Sequence, residues 1–239
     1  MITRANQPAS FLLNVASGDK LEVRQFAIRE QMSSLFSVAV TVVAENPDID
    51  FEALIGQPAR FEVQGGIATE WSRTWTGICK EVQEVAAEET GLSTYVIEIA
   101  PVLWLASQRR NHRMFQLMSE VEIALLILSE WGIEPVKKLS AVYKKRKYRV
   151  QYGESDYAFI CRLLEDAGVS FYFAAEGDES RMVLADTPQN NEEREPRIRF
   201  RDNPGAVDQE HVTALRIVRQ VRPGRYTLRD HDSRRPHSC

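Results

Sequence analysis

The sequence is poor in the residues that metal centres and many active sites use. It holds three cysteines, Cys79, Cys161 and Cys239, and four histidines, His112, His211, His231 and His237, in 239 residues. The cysteines have no metal-ligand spacing, and an odd, sparse set points to a reducing compartment rather than a disulfide framework. The histidines form neither an HExxH motif nor a Cys/His cluster, so spacing proposes no zinc chemistry. No apolar run approaches the ~20 residues that span a bilayer. Residues 1–15 lack the basic, apolar and small-residue segments of a secretory signal. The glycines Gly65-Gly66 and Gly224 stand in isolated turns, with no phosphate loop around them. Neither sign of charge dominates: 30 Lys+Arg against 34 Asp+Glu gives a net charge of −4, which argues against a general affinity for nucleic acid or an anionic membrane. These absences lead to an expectation of no cofactor, no metal, no enzymatic activity and no membrane partner.

What is present is ordinary folded-protein composition, 44% hydrophobic and 27% charged, enough for one large domain or two small ones. The first hundred residues alternate in the period of strands. Phe11, Leu13 and Val15 alternate, Ser17-Gly18-Asp19 turns, and Leu21 and Val23 open a second run. Phe36, Val38, Val40 and Val42 share one face of the clearest strand. Asp50 is placed to cap a short helix through Ile55, closed by Gly56 and Pro58. Phe61 and Val63 mark another strand. Trp75 to Val85 and Tyr95 to Ala100 read as a long hairpin around Glu88–Gly91, with Tyr95, Ile97 and Ile99 on one face. Six strand candidates divided by turns suggest a small β-barrel or sandwich.

Pro101 changes the style. Pro101–Ala106 reads as a short helix with proline in its first turn. Ser119 and Glu122 form a capping-box pattern, and the run Ile123–Leu128 is apolar nearly all round, which implies a helix from about Glu120 to Trp131 buried on most sides. Lys137 to Arg149 is strongly basic. Ser155 then stands as an N-cap, with Phe159, Ile160, Leu163, Leu164 and Ala167 on one helical face and Gly168 as the stop. Val169–Phe173 and Met182–Leu184 are strands around the turn Glu176–Ser180. Residues 188–211 are polar and read as a loop, with 191–211 as the linker. Strand character returns at Val212 to Val221, Arg222–Arg225 turns the chain, and 233–239 form a disordered tail. From Arg194 onward there are eleven arginines and no lysine.

No constellation assembles an activated nucleophile or a paired acid and base. Ser155 is placed as a cap rather than in a nucleophile elbow. Glu154, Asp156, Glu165 and Asp166 read as capping or solvated acids, because spacing alone cannot set the carboxylate separation that glycoside chemistry needs. His231, Asp232 and His237 fall in the tail. Trp71, Trp75, Trp104 and Trp131 read as core or interface anchors. The candidate site is the basic run Lys144, Lys145, Arg146 and Lys147 between Tyr143 and Tyr148. It reads as a solvated strand or loop, or a contact to an acidic protein surface, and the aromatic neighbours leave single-stranded nucleic acid as the alternative.

Several ordered motifs resemble the VgrG family, the spike proteins of type VI secretion systems. They are Tyr152–Gly168, the run Arg110-Asn-His-Arg-Met-Phe-Gln116, Ser119–Ile123 with Trp131-Gly132, and Tyr226–Asp232. The resemblance implies the N-terminal hub, similar to that of contractile phage baseplates. It implies a mainly β fold, a tube-protein-like β-barrel interrupted by an α+β insertion: residues 1–100 and 212–232 forming the barrel and 101–190 the insertion. In the family the hub is trimeric and seats the Hcp tube. The expected function is structural, with an Hcp-like tube protein, other VgrG subunits and secreted effectors as partners. An effector or tube adaptor, or a basic-patch nucleic-acid-binding module, is the alternative. Synthesis in the bacterial cytoplasm and export through the type VI system without a signal peptide are implied. The chain reads as a truncated form or hub piece, because no second tube-like half, neck or β-helix needle follows Asp232.

Overall fold

The computed structural model describes residues 10–46, 48–65, 71–87, 92–191, 193, 197–201, 211–221, 223–225 and 227. The expected turn at Glu88–Gly91, the motif Tyr226–Asp232 (Thr227 apart) and the tail 233–239 lie outside these residues. Residues 1–195 form one compact unit and 196–239 another.

The first part of the larger unit is a six-stranded antiparallel sheet. Its strands are β1 (Ser10–Val15), β2 (Glu22–Arg29), β3 (Ser37–Ala44), β4 (Pro58–Gly65), β5 (Trp71–Ala87) and β6 (Ser93–Ala100), in the order β1-β4-β5-β6-β3-β2. Strict alternation builds the core. Val38, Val40 and Val42 of β3, Phe61 of β4, and Tyr95, Ile97 and Ile99 of β6 are all buried, and each contributes roughly 1.5–3 kcal/mol by leaving water. The sheet curls into a half-barrel until its two outer strands touch: the rings of Phe11 on β1 and Phe26 on β2 lie 5.0 Å apart, and Phe26 lies 5.1 Å from Phe61.

The curl is built into β5. Its first half, Trp71–Ile78, pairs with β4, and its second half, Ile78–Ala87, pairs with β6. Ile78 faces both Pro58 and Ala100, so the strand changes partner there. Register shifts between Cys79 and Glu81 and between Glu84 and Ala86 add twist. Gly77 sits at this crossing. A Cβ there would stand 2.0 Å from the Ala100 carbonyl oxygen, so only glycine lets the two backbones approach.

An α+β block follows. Its elements are a 3-10 helix (Val102–Ser107), β7 (Arg110–Met118), α1 (Glu120–Glu130), β8 (Val136–Lys138), β9 (Arg146–Ser155), α2 (Asp156–Asp166), β10 (Ser170–Glu176) and β11 (Glu179–Ala185). β7 and β9 make a two-stranded antiparallel ribbon. β10, β11 and β8 make a second sheet in which β8 joins β11 in parallel. Both helices begin as their sequences require. Ser119 Oγ accepts from Glu122 N at 3.2 Å while Glu122 Oε2 accepts from Ser119 N at 2.7 Å, and Ser155 Oγ accepts from Ala158 N at 3.2 Å. Ile123, Ala124, Ile127 and Leu128 of α1 pack with Phe159, Ile160, Leu163 and Leu164 of α2 in a second core.

Phe173 of β10 joins the two cores, meeting Phe36 edge-on at 5.2 Å. Hydrogen bonds reinforce the joint. Thr76 and Ser180 exchange two, Ser180 N to Thr76 Oγ1 at 2.7 Å and Thr76 N to Ser180 Oγ at 3.0 Å. Ser33, held at φ 54°, donates its N–H to Phe171 O at 2.7 Å. In the second unit, β12 (Arg199–Phe200) and β13 (His211–Val212) pair in parallel, and Arg201 N donates to Val212 O at 2.9 Å.

The mainly β class with a helix-bearing block is borne out. Two local expectations change. Asp50 caps a single turn rather than a helix: its Oδ1 accepts from Glu52 N at 2.9 Å, but by Gln57 the backbone is already paired with Cys79 of β5. The strand expected over Val212–Val221 is confined to His211–Val212. Leu215, Ile217 and Val218 are exposed and carry no ladder, and alternation without a neighbouring strand does not hold a β conformation.

Gly77→Ala is expected to destabilise the protein by about 2 kcal/mol or more, since backbone rather than a flexible side chain must give way. A lowered urea midpoint would show it, and an unchanged midpoint would place the curl elsewhere.

Candidate protein-contact surface

The basic run lies where the β8–β9 connection enters β9, and two acidic anchors hold that segment. The first is Asp186, just after β11. Its carboxylate accepts from Ser140 N at 2.6 Å, Ala141 N at 2.7 Å, Tyr143 Oη at 3.0 Å and Ser140 Oγ at 3.1 Å. The Ala141 amide is the largest influence holding its pKa well below the usual carboxylate range, and burial together with the Asp186 charge pushes the Tyr143 phenol up to about 12. The second is Glu120, the first residue of α1 and nearly fully buried. It receives Arg146 Nε at 2.8 Å and Arg149 Nε at 3.1 Å. Burial raises the Glu120 pKa, but the Arg149 contact, its own backbone N–H and Arg146 outweigh it and leave a net lowering.

The four predicted residues therefore divide. Arg146 is committed to Glu120, and Lys145 Nζ lies 3.8 Å from Glu122 Oε1. Lys144 and Lys147 are exposed. The run is a pinned, partly neutralised cationic edge rather than four equivalent charges.

Sequence reasoning missed what stands at the far end of β9. Asp156, read as a capping or solvated acid, is 0% exposed and is the hub of the β7–β9 ribbon. Its carboxylate accepts from Arg109 Nε at 2.6 Å, Gln151 Nε2 at 2.8 Å, Arg113 Nη2 at 3.0 Å, Asn111 Nδ2 at 3.0 Å and Trp131 Nε1 at 3.1 Å. Arg109 also lies over the Trp131 ring at 4.6 Å, and both Arg109 and Arg113 reach Glu130. Burial pushes the Asp156 pKa up, but the hydrogen bonds from Gln151, Asn111, Arg109 and Trp131 more than offset it. A signal existed in the spacing: Asn111, Arg113 and Gln151 fall on one face of the paired strands, opposite Met114, Tyr148 and Tyr152.

Other candidates are structural. Glu154 pairs with Arg162, Asp166 lies 3.1 Å from Arg149, and Glu165 is exposed. Trp75 is buried against Phe61 and donates Nε1–H to Glu30 at 3.0 Å. Trp104 is half-buried, and the Trp71 side chain lies outside the description. Among the described residues no three His, Cys, Asp or Glu side chains converge to hold a metal ion, and no helix is long and apolar enough to cross a membrane. His231 and His237 lie outside them.

Asp156→Asn leaves two arginines partly unpaired in the ribbon, and a loss of about 3 kcal/mol at neutral pH is expected in denaturant melts. Because the folded pKa is depressed, the carboxylate stabilises above its unfolded value of ~4 and ceases to do so as pH falls through the folded value. The wild-type curve should therefore drop on acidification below about pH 4, and the variant's should drop less. Parallel curves would remove Asp156 from this role.

The family model for the phage tail baseplate hub (GPD) matches residues 29–238. Among curated proteins, the type VI secretion system spike protein VgrG1a of Pseudomonas aeruginosa is 29% identical over 226 residues, covering 91% of this chain and 34% of its own length. VgrG4b of the same organism is 29% identical over 247 residues, covering 99% of this chain and 29% of its own. The chain spans about a third of the length of these relatives. Among solved structures, the E. coli c3393 protein is described as a type VI secretion component similar to the T4 tail proteins gp27 and gp5. It superposes with a TM-score of 0.68 at 22% identity, covering 79% of this chain and 52% of that one. A Francisella PdpA–VgrG complex gives a TM-score of 0.59 at 10% identity, covering 83% and 35%. The resemblance that the motifs imply is borne out, and the chain belongs to the phage tail baseplate hub family, with VgrG spike proteins among its relatives.

Proposed function

We propose that this chain is a hub portion of a type VI secretion spike, a structural protein that contacts an Hcp-like tube protein and other spike subunits and performs no chemistry. The observation that carries this reading is the family match over residues 29–238, which takes in β3 to β6 of the curled sheet and the whole α+β block. The chain is made in the bacterial cytoplasm and leaves through the type VI apparatus.

A second reading concerns the cationic edge. Lys144 and Lys147 stand exposed beside a segment fixed by Asp186, so they present charge without the entropy cost of ordering a loose loop. An acidic surface of an effector or tube subunit is the fitting partner. Nucleic acid fits less well, because Arg146 is already committed to Glu120.

Light scattering of the purified chain with and without Hcp tests the main reading. A defined oligomer that gains mass with Hcp is the expected result, and a monomer that never shifts would sink it. For the second reading, Lys144→Glu/Lys147→Glu should weaken the complex with a salt-sensitive slope. Equal affinity at all salt concentrations would remove the edge from the contact.

A further inference from the structure

A groove lined in part by Phe173 belongs to neither reading above. It is open, encloses about 730 Å³, and runs between the β5 crossing, the 3-10 helix, the loop after α1 and the β10–β11 turn. That volume lies within the ~300–1,000 Å³ usual for ligand sites. Its floor is apolar, with Ile78, Leu103, Ile133 and Met182, and Val102 stands 39% exposed at its edge.

The rim is acidic. Glu134, Asp178 and Glu179 lie on it, against one cation, Arg181. Asp178 is held by Arg60 at 3.0 Å and Arg181 by Glu176 at 2.8 Å, which leaves Glu134 and Glu179 as exposed carboxylates without an ion pair among the described residues. The walls are fixed, because the Thr76–Ser180 exchange and Phe173 both form part of the lining. An apolar channel with rigid walls and uncompensated negative charge discriminates by charge and by apolar contact together.

We infer that this groove is a docking site for a cationic, apolar segment of a partner protein, with aliphatic side chains on the floor and lysine or arginine at Glu134 and Glu179. Its preferred charge is opposite to that of the Lys144–Lys147 edge, so the two surfaces take different partners.

The test uses the full chain and fluorescein-labelled decapeptides: alternating leucine and lysine, alternating leucine and glutamate, and alternating serine and lysine. Anisotropy should show binding of the leucine–lysine peptide alone. Glu134→Lys/Glu179→Lys and, separately, Val102→Glu should each weaken it by roughly tenfold or more. Glu52→Lys/Glu84→Lys, an equal charge change on exposed residues outside the groove lining, and Lys144→Glu/Lys147→Glu on the cationic edge should leave it unchanged, with melting temperatures confirming that all variants fold. Failure of the leucine–lysine peptide to bind would overturn the proposal. So would equal binding of the leucine–glutamate peptide, or of the serine–lysine peptide, which would reduce the effect to net charge. Concentration-dependent self-association that the groove variants abolish would overturn it as well, by making a second copy the occupant.

Discussion

The close passage of β5 and β6 at Gly77 sets the geometry that everything else rests on. A flat six-stranded sheet would bury its valines and isoleucines on one face only against something else. This sheet buries them against itself, because one 17-residue strand serves two neighbours in succession and turns between them. The turn requires the Ala100 carbonyl to sit where a Cβ at residue 77 would be. With that contact in place, β1 and β2 come round to meet through Phe11 and Phe26, and Phe36 is left facing the hairpin that follows.

The α+β block is ordered by a different physics. An isolated two-stranded ribbon is at best marginally stable in water. β7 and β9 are held by their inner faces, where Arg113, Asn111 and Gln151 converge on Asp156, while α1 and α2 provide the apolar mass behind. A buried carboxylate with five donors is costly to assemble and more costly to leave incomplete. It fixes which strand faces which helix, since Asp156 is also the first residue of α2 and its N–H donates to Arg109 O.

The parts of the fold legible in the sequence were those where apolar side chains point inward. Phe36–Val42, Tyr95–Ile99 and Phe159–Leu164 follow the strand or helix period, and each is buried as read. Ser119, Glu122 and Ser155 cap helices through local hydrogen bonds that need no tertiary information. The β7–β9 ribbon was hidden because its pattern is inverted: arginine, asparagine and glutamine face in, and Met114 and Tyr152, 63% and 81% exposed, face out. The division of the basic run was hidden for a related reason. Which cation is committed depends on Glu120 lying beside Arg146, a contact between residues 26 apart in sequence. Residues 213–221 misled in the opposite direction, because alternation describes a strand's faces and says nothing about whether a neighbour is available to pair.

The hairpin of β10 and β11 is fastened to the sheet twice, by Ser33 at the root of β10 and by Thr76 at the head of β11, with Phe173 between the fastenings. One fastening would let the hairpin pivot; two along its length, with Phe173 packed on Phe36 between them, oppose its lifting from the sheet. A force that parts the α+β block from the sheet must therefore break both fastenings and the Phe173–Phe36 contact together.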